Sequence, residues 1–278
     1  MGVGGLSGWV GRTEEREDIA SPAPVASLSA LLDRDDPPPR VGDAAPPLAH
    51  WLYFLPGYPE SEVGPDGHAL KGSFLPPIAL ARRMWAGSRL EFLRPLVLGS
   101  AIRKRSTIRD VIEKEGRSGK LVFVTVRHEV SDAGGVVLTD EHDIVFRGET
   151  ALAAKDNPAP TNETWRREIR PDPVLLFRYS AVTFNSHRIH YDHPYVTGVE
   201  GYPGLVVHGP LIATLLVDLL RRNRPDTILR QYRFRALKPL YDTASFHTCG
   251  LPDEGSKSAR LWTRDASGAV TFEATAGW

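Results

Sequence analysis

Cysteine is nearly absent: the 278-residue chain has one, Cys249. A single thiol cannot form an internal disulfide framework or a multi-cysteine metal site, and it suits a reducing compartment. Net charge is absent too. The 34 Lys and Arg balance 34 Asp and Glu, so no bulk field draws the chain to nucleic acid or to an anionic membrane surface. Long apolar runs are missing as well. The longest, Leu211 to Leu220, is interrupted by Thr214 and Asp218 and falls short of the roughly 20 residues that cross a bilayer. The opening residues pass from Gly-rich sequence into Arg12, Glu14, Glu15, Arg16 and Glu17, without the apolar core of a signal peptide. The expectation is a cytoplasmic protein with neither nucleic-acid nor membrane partners. Gly64-Pro65-Asp66-Gly67-His68 lacks the strand and helix of a nucleotide loop and reads as a turn.

What is present is ordinary core material: 41% apolar and 24% charged residues, enough for a soluble globular protein of two packed units. The chain repeats a weak pattern at an offset of about 150 residues. Arg16 to Ile19 leads to Pro24-Val25 and an apolar helical run ending near Leu32, and Arg167 to Ile169 leads to Pro173-Val174 and a run to Val182. Arg89 to Leu96 echoes Tyr232 to Leu240, and Asp132 to Gly135 and Asp265 to Gly268 both read as hairpin turns. Three matches in one order indicate a duplicated unit, with halves at residues 1–160 and 161–278 and a linker from Glu149 to Glu163.

Strands are expected near 88–92, 100–110, 120–130 and 136–147, and again near 229–237, 244–249, 258–263 and 270–274. Leu121 to Val126 is almost continuously apolar and is expected to be buried on both faces. In the second half Pro210 suits the first turn of a helix, the body to Leu220 is apolar, and Arg221 and Arg222 suit its C-terminal end. A buried helix from Gly209 to about Asn223 follows. Its counterpart, Pro56 to Pro77, is too rich in Gly and Pro to form one, which gives the first half a structural and substrate-accommodating role. Asp218 inside the helix requires either an Arg partner at the interface between the halves or a place at the helix's outer edge.

The densest chemistry lies between Arg178 and Asp192, where Asn185, His187, Arg188, His190, Tyr191 and Asp192 follow a helical segment. Such a loop presents side chains to a cleft. A metal site built on His187, His190, Asp192 and His193, or a merely solvated loop, are the competing readings. His128 and His142, in strands, read as packed or edge residues, and Trp51, Trp85 and Trp262 as core.

The run from Tyr179 to Asp192, followed by Val206-Val207-His208-Gly209-Pro210, resembles the hydratase signature of the MaoC-like hotdog group. There the pattern is Gly-Asp-x-Asn-Pro-hydrophobic-His-x-Asp, then a His-Gly opening the central helix. The motif's Asp falls here on Asn185, its Asn on His187, its Pro on Arg188, its His on His190, its second Asp on Asp192 and its helix-opening Gly on Gly209. With an amide at Asn185 and Val-Glu-Gly-Tyr-Pro-Gly after the motif, the chain is most similar to the double-hotdog 3-methylfumaryl-CoA (mesaconyl-C4-CoA) and itaconyl-CoA hydratases. In the first half, Trp85 to Arg89, Gly116 to Gly119 and Val122 to His128 carry the same resemblance.

The resemblance implies an α+β double hotdog, a long helix wrapped by antiparallel strands from both halves, and a hydro-lyase without cofactor or metal. Its substrate is expected to be a CoA thioester, and a homodimer is compatible with the sequence. Gly209 at a helix start can direct an N–H at the thioester oxygen, His190 can take a proton from water, and Asn185 can hold that water through its carbonyl. His187, Arg188, Tyr191, Asp192 and His208 are expected to contact substrate. Arg188 would hold a distal carboxylate, against the alternative of a salt bridge to Asp192 or Glu200. Arg233 and Arg235, with Arg230 and Lys238, would meet the CoA phosphates, against a solvated strand face. Dehydration of a hydroxyacyl thioester, a non-catalytic acyl-thioester binder and a thioesterase are the alternative activities.

Overall fold

In a computed structural model that describes residues 5–80, 82–116, 119–148 and 156–278, ten strands form one antiparallel sheet. They are β1 (Thr13–Ile19), β2 (Arg82–Phe92), β3 (Ala101–Gly116), β4 (Gly119–Asp132), β5 (Gly135–Arg147), β6 (Trp165–Ile169), β7 (Gln231–Ala236), β8 (Phe246–Asp253), β9 (Ser258–Arg264) and β10 (Val270–Gly277). The order is β1-β3-β4-β5-β2-β7-β10-β9-β8-β6, so the first five strands lie together and meet the last five at β2 and β7. There Gly87 faces Arg235 and Glu91 faces Gln231. Gly87 permits this join, because a Cβ on it would lie 2.5 Å from the Phe234 carbonyl oxygen. Arg117, Ser118 and residues 149–155, which belong to the expected first-half resemblance and the linker, lie outside the described residues.

The eight expected strands are present, each with shifted ends. Two edge strands, β1 and β6, were expected only as approaches to helices. β1 reads Thr-Glu-Glu-Arg-Glu-Asp-Ile and shows no buried residue. It is a strand because its backbone pairs with β3 from Thr13↔Thr107 to Ile19↔Ala101, and charged side chains are how sheet edges discourage further pairing. The expectation that Leu121–Val126 is buried on both faces is not met: Val122, Val124 and Val126 are buried, whereas Leu121, Phe123 and Thr125 are only half-covered. The outer face of an antiparallel sheet needs no second layer.

Four helices are present among the described residues: α1 (Pro22–Leu31), α2 (Pro173–Thr183), α3 (His193–Gly198) and α4 (Gly209–Asn223). α1, α2 and α4 each begin with proline in the first turn, where the missing N–H costs nothing. In α4 every residue from Leu211 to Leu220 is buried, and its sheet partners are β6, β8, β9 and β10. The strands packed most closely on the helix are thus those of its own half. In the first half the corresponding hollow holds a short 3-10 turn, Ala49–Leu52, and the chain that follows it. No helix among the described residues is long and apolar enough to cross a membrane.

Candidate active site

α2 is capped by Asp172, which accepts from the Leu175 N–H at 2.8 Å, and ends at Phe184 in the left-handed region. That residue turns the chain into the loop that carries Asn185, His187, Arg188 and His190. Asn185 Oδ1 accepts the His187 N–H at 3.0 Å, a local turn typical of Asn. Arg188–His190 form a single 3-10 turn, and Asp192 caps α3 by accepting the Tyr195 N–H at 3.0 Å.

His190 is buried, and its Nδ1 donates to the Val206 carbonyl at 2.7 Å. That bond selects the tautomer whose Nε2 carries a lone pair. Burial pushes its pKa down to about 4, only partly offset by the Val206 bond, so the ring is neutral near pH 7. The His208 ring stacks on it at 3.7 Å with 18° between planes, and His208 Nε2 lies 2.8 Å from Ser180 Oγ. Two neutral rings can stack in this way, and burial holds His208 well below the usual histidine range.

Gly209 opens α4 immediately after His208. Its N–H has no carbonyl one turn back to accept it, and Pro210 has no N–H. A Cβ built on Gly209 meets nothing within 4 Å, and its backbone is not in the left-handed region. The glycine is therefore not required by a tight turn or by a packed neighbour. Gly209→Ala is expected to keep its Tm within about 2 °C, since neither strain nor a clash arises, while turnover falls at least about tenfold because a methyl occupies the approach to the N–H. Thermal unfolding and rate measured on one preparation check this; unchanged turnover removes Gly209 from the site.

The segment 64–68, expected to be a bland turn, docks on this loop. Ser186 Oγ donates to the Gly67 carbonyl at 2.6 Å, the Arg188 N–H to the Asp66 carbonyl at 2.9 Å, and Arg188 Nη1 to the Pro65 carbonyl at 3.0 Å. The His68 and His187 rings lie 3.9 Å apart. Gly67 has φ +86°, and a Cβ there would lie 1.8 Å from the Ser186 oxygen. Gly67→Ala is accordingly expected to undock the segment and lower turnover about tenfold or more, with a stability loss of about 1–3 kcal/mol. Proteolysis rates of the 60–70 segment and kcat check it; wild-type values of both would show that the docking is dispensable.

Beside this loop lies a cavity of about 800 Å³ whose walls come from both parts of the chain, including Asn185, Tyr191 and Pro210 on one side and Trp85, His128 and His142 on the other. With this geometry in view, the comparisons decide the family. Residues 48–242 match the family model described as hydroxyacyl-thioester dehydratase type 2. The chain belongs to that family. A curated relative, the mesaconyl-C(4)-CoA hydratase of Chloroflexus aurantiacus, is 42% identical over 270 residues, covering 96% of this chain and 95% of the relative. Among solved structures, a MaoC-like dehydratase superposes with TM-score 0.73 at 15% identity, covering 98% of both chains. A Mycobacterium tuberculosis protein described as having a double hotdog fold gives 0.56 at 13% identity, covering 96% of both. The fold is an α+β double hotdog, and this member of the dehydratase family is a hydro-lyase.

The structure of this family member gathers some expected site residues and separates others. Asn185, His187, His190, His208 and Gly209 lie together. Arg188 is adjacent, but its Nε and Nη2 both bond Asp192 Oδ2, at 2.9 and 2.8 Å, and its guanidinium lies 4.0 Å from the Tyr195 ring centroid. The salt-bridge alternative thus describes Arg188, and Asp192 is engaged in the same bridge and in the α3 cap. Tyr191 lines the cavity and donates from its hydroxyl to the Ser186 carbonyl at 3.0 Å. Arg233 and Arg235 are not brought to the site. In β7 the buried residues are Tyr232 and Phe234, so the two-residue period of a strand turns both arginines to the outer face of the sheet. Nor do Arg230 and Lys238 make a patch with them: Arg230 Nη1 donates to the Leu93 carbonyl at 3.4 Å, and Lys238 bridges Asp156 and Asp265. Asp66, His68 and His187 are the one group among the described residues whose ligand atoms all fall within 4.8 Å of one another, a spacing able to hold a metal ion.

The first half carries a polar cluster of its own. Asp140, 1% exposed, accepts from His142 Nε2 at 2.7 Å, Trp51 Nε1 at 2.9 Å, His50 Nε2 at 3.2 Å and the Ser88 hydroxyl. Burial alone would raise its pKa, yet His142 and His50 hold it well below the carboxylate range. His128 and His142, expected to be packed or edge residues, line the cavity. The signal was legible in part, because Asp140 and His142 are two apart in a strand and share a face.

Proposed function

We propose that this protein adds water reversibly to 3-methylfumaryl-CoA to give citramalyl-CoA. The observation that carries the reading is His190, held by the Val206 carbonyl as a neutral imidazole with a free Nε2, next to the unpaired N–H that opens α4. The substrate class follows from the 42% identical relative, whose name is mesaconyl-C(4)-CoA hydratase.

In this reading the thioester oxygen faces the Gly209 N–H and the positive end of α4. His190 Nε2 removes a proton from water as the water oxygen bonds to the β-carbon. The π electrons move to the thioester oxygen, and the N–H stabilises the resulting enolate, a contribution on the order of 3 kcal/mol for one such donor. The proton then returns from His190 to the α-carbon. Asn185 enters differently from the sequence expectation: its Oδ1 is engaged by His187 N–H, so its Nδ2 is the end available to water, as a donor. His190 is then the only proton carrier. The same groups run in reverse dehydrate a hydroxyacyl thioester, as the family description has it.

Mixing purified protein with the enoyl-CoA and following the enoyl-thioester ultraviolet band tests the proposal. Loss of the band without release of free thiol is the expected result. Thiol release would establish a thioesterase instead, and no change of either kind a binding protein.

A further inference from the structure

Two cations of the cavity wall have no ionic partner among the described residues. Arg83 and Lys104 both line it, and neither forms a hydrogen bond or ion pair with a described residue; Lys104 makes only a cation–π contact, 5.1 Å from the Phe54 ring. The other cationic side chains of the wall are engaged, Arg188 by Asp192 and Arg16 by the Tyr58 hydroxyl at 2.8 Å. Arg82, the neighbour of Arg83 on β2, donates to the Tyr202 hydroxyl and the Glu200 carbonyl, both at 3.0 Å. Largely buried without a counter-ion, Arg83 has its pKa lowered by burial, and Asp66, whose carboxylate bonds His68, is its nearest compensation. A buried charge left without a partner is costly, and an anion entering the cavity removes that cost.

We propose that Arg83 is the receptor for the carboxylate borne by the β-carbon of the substrate. The inference rests on the function proposed above. In 3-methylfumaryl-CoA the free carboxylate is attached to the carbon that receives the hydroxyl, so its receptor must lie beside the water-activating histidine. Arg83 meets that requirement: it lines the cavity together with His68 and Asn185, the His68 ring lies 3.9 Å from that of His187, and the His187 ring is 5.4 Å from that of His190. Lys104 does not. Its side chain comes from β3, which β4 and β5 separate from β2 in the sheet, and lies over the Phe54 ring. A guanidinium fork takes a carboxylate bidentately. It also neutralises a negative charge that would otherwise repel the developing hydroxide as it approaches the same carbon.

The test compares wild type, Arg83→Met, Arg83→Lys and Lys104→Met on 3-methylfumaryl-CoA and on crotonyl-CoA, which has a methyl group in place of the carboxylate and a hydrogen in place of the branch methyl. Arg83→Met is expected to lower kcat/KM for the dicarboxylic substrate about a hundredfold more than for crotonyl-CoA, with Arg83→Lys intermediate. Because the guanidinium has no hydrogen-bond or ionic partner among the described residues, the Tm of Arg83→Met is expected to equal or exceed that of wild type. Free citramalate is expected to raise the Tm of wild type and leave that of Arg83→Met unmoved. Equal losses on both thioesters, or selectivity that disappears in Lys104→Met and survives in Arg83→Met, would overturn the assignment. Should wild type hydrate neither thioester, the functional reading fails, and the citramalate shift still decides for or against Arg83 as a carboxylate receptor.

Discussion

His190→Ala is expected to lower turnover by at least about a hundredfold while the protein stays folded, as when a sole general acid–base group is lost. Sequence position made this residue a candidate; the structure supplies the state of its ring. Nδ1–H is bound to Val206 and Nε2 is free, so no alternative tautomer competes. A pKa near 4, set first by burial, fixes the sign of the pH dependence. The ring acts as a base only when neutral, so kcat/KM is expected to stay flat from pH 7 to about 5 and to fall on the acid side near 4, well below an ordinary histidine limb. Stability behaves differently. His190, His50, His68, His128, His187 and His208 all have lowered pKa values. Below about 6.5 the unfolded chain binds protons that the native state refuses, and stability is lost progressively as pH falls. A kcat/KM profile recorded where circular dichroism shows the fold intact separates the two. Near-normal turnover in folded His190→Ala, or an acid limb at 6.5, would exclude His190 as the base.

The largest loss of stability is expected at Asp218, far from the chemistry. Its carboxylate is 1% exposed and is reached by Arg34 Nη1, Arg167 Nη1 and Arg222 Nε, each at 2.8 Å. Arg222 also donates to the Leu32 and Asp33 carbonyls. The group thus ties α4 to the chain following α1 and to β6, the interfacial place that an aspartate inside a buried helix required. Asp218→Asn preserves shape but leaves three guanidinium groups converging on a neutral amide. Removing one partner from such a buried network costs about 3–5 kcal/mol, or a Tm lower by on the order of 10 °C for a chain of this size. Turnover per folded molecule is expected to stay close to wild type. Denaturant unfolding measures the loss, and a change below about 1 kcal/mol would mean that solvent at the arginines already screens the network.

Legibility in the sequence followed the physical range of each signal. The eight inner strands and α4 could be read because apolar periodicity, turn residues and proline position are local properties of the chain. β1 and β6 could not, because an edge strand of charged residues is made by backbone pairing to a partner distant in sequence. The same limit separated the site residues. Asn185, His190 and Gly209 belong to a compact motif and could be named as candidates; Asp140, His50, Arg83 and the docked Gly67 segment come from stretches whose relevance depends on which strand lies beside which.

By itself, then, the sequence determined the composition of an α+β chain, the placement of its buried helix, and the motif that resembles a hydratase signature. The tertiary structure alone decided the state of each charge. It paired Arg188 with Asp192, turned Arg233 and Arg235 to the outer face of the sheet, locked one tautomer of His190 against Val206, and left Arg83 in the cavity wall without an ionic partner among the described residues. Local periodicity specifies which face of an element is apolar. Whether a guanidinium meets a carboxylate, a carbonyl or an empty cavity depends on the few ångströms between side chains remote in the chain, and only the packed fold sets those distances.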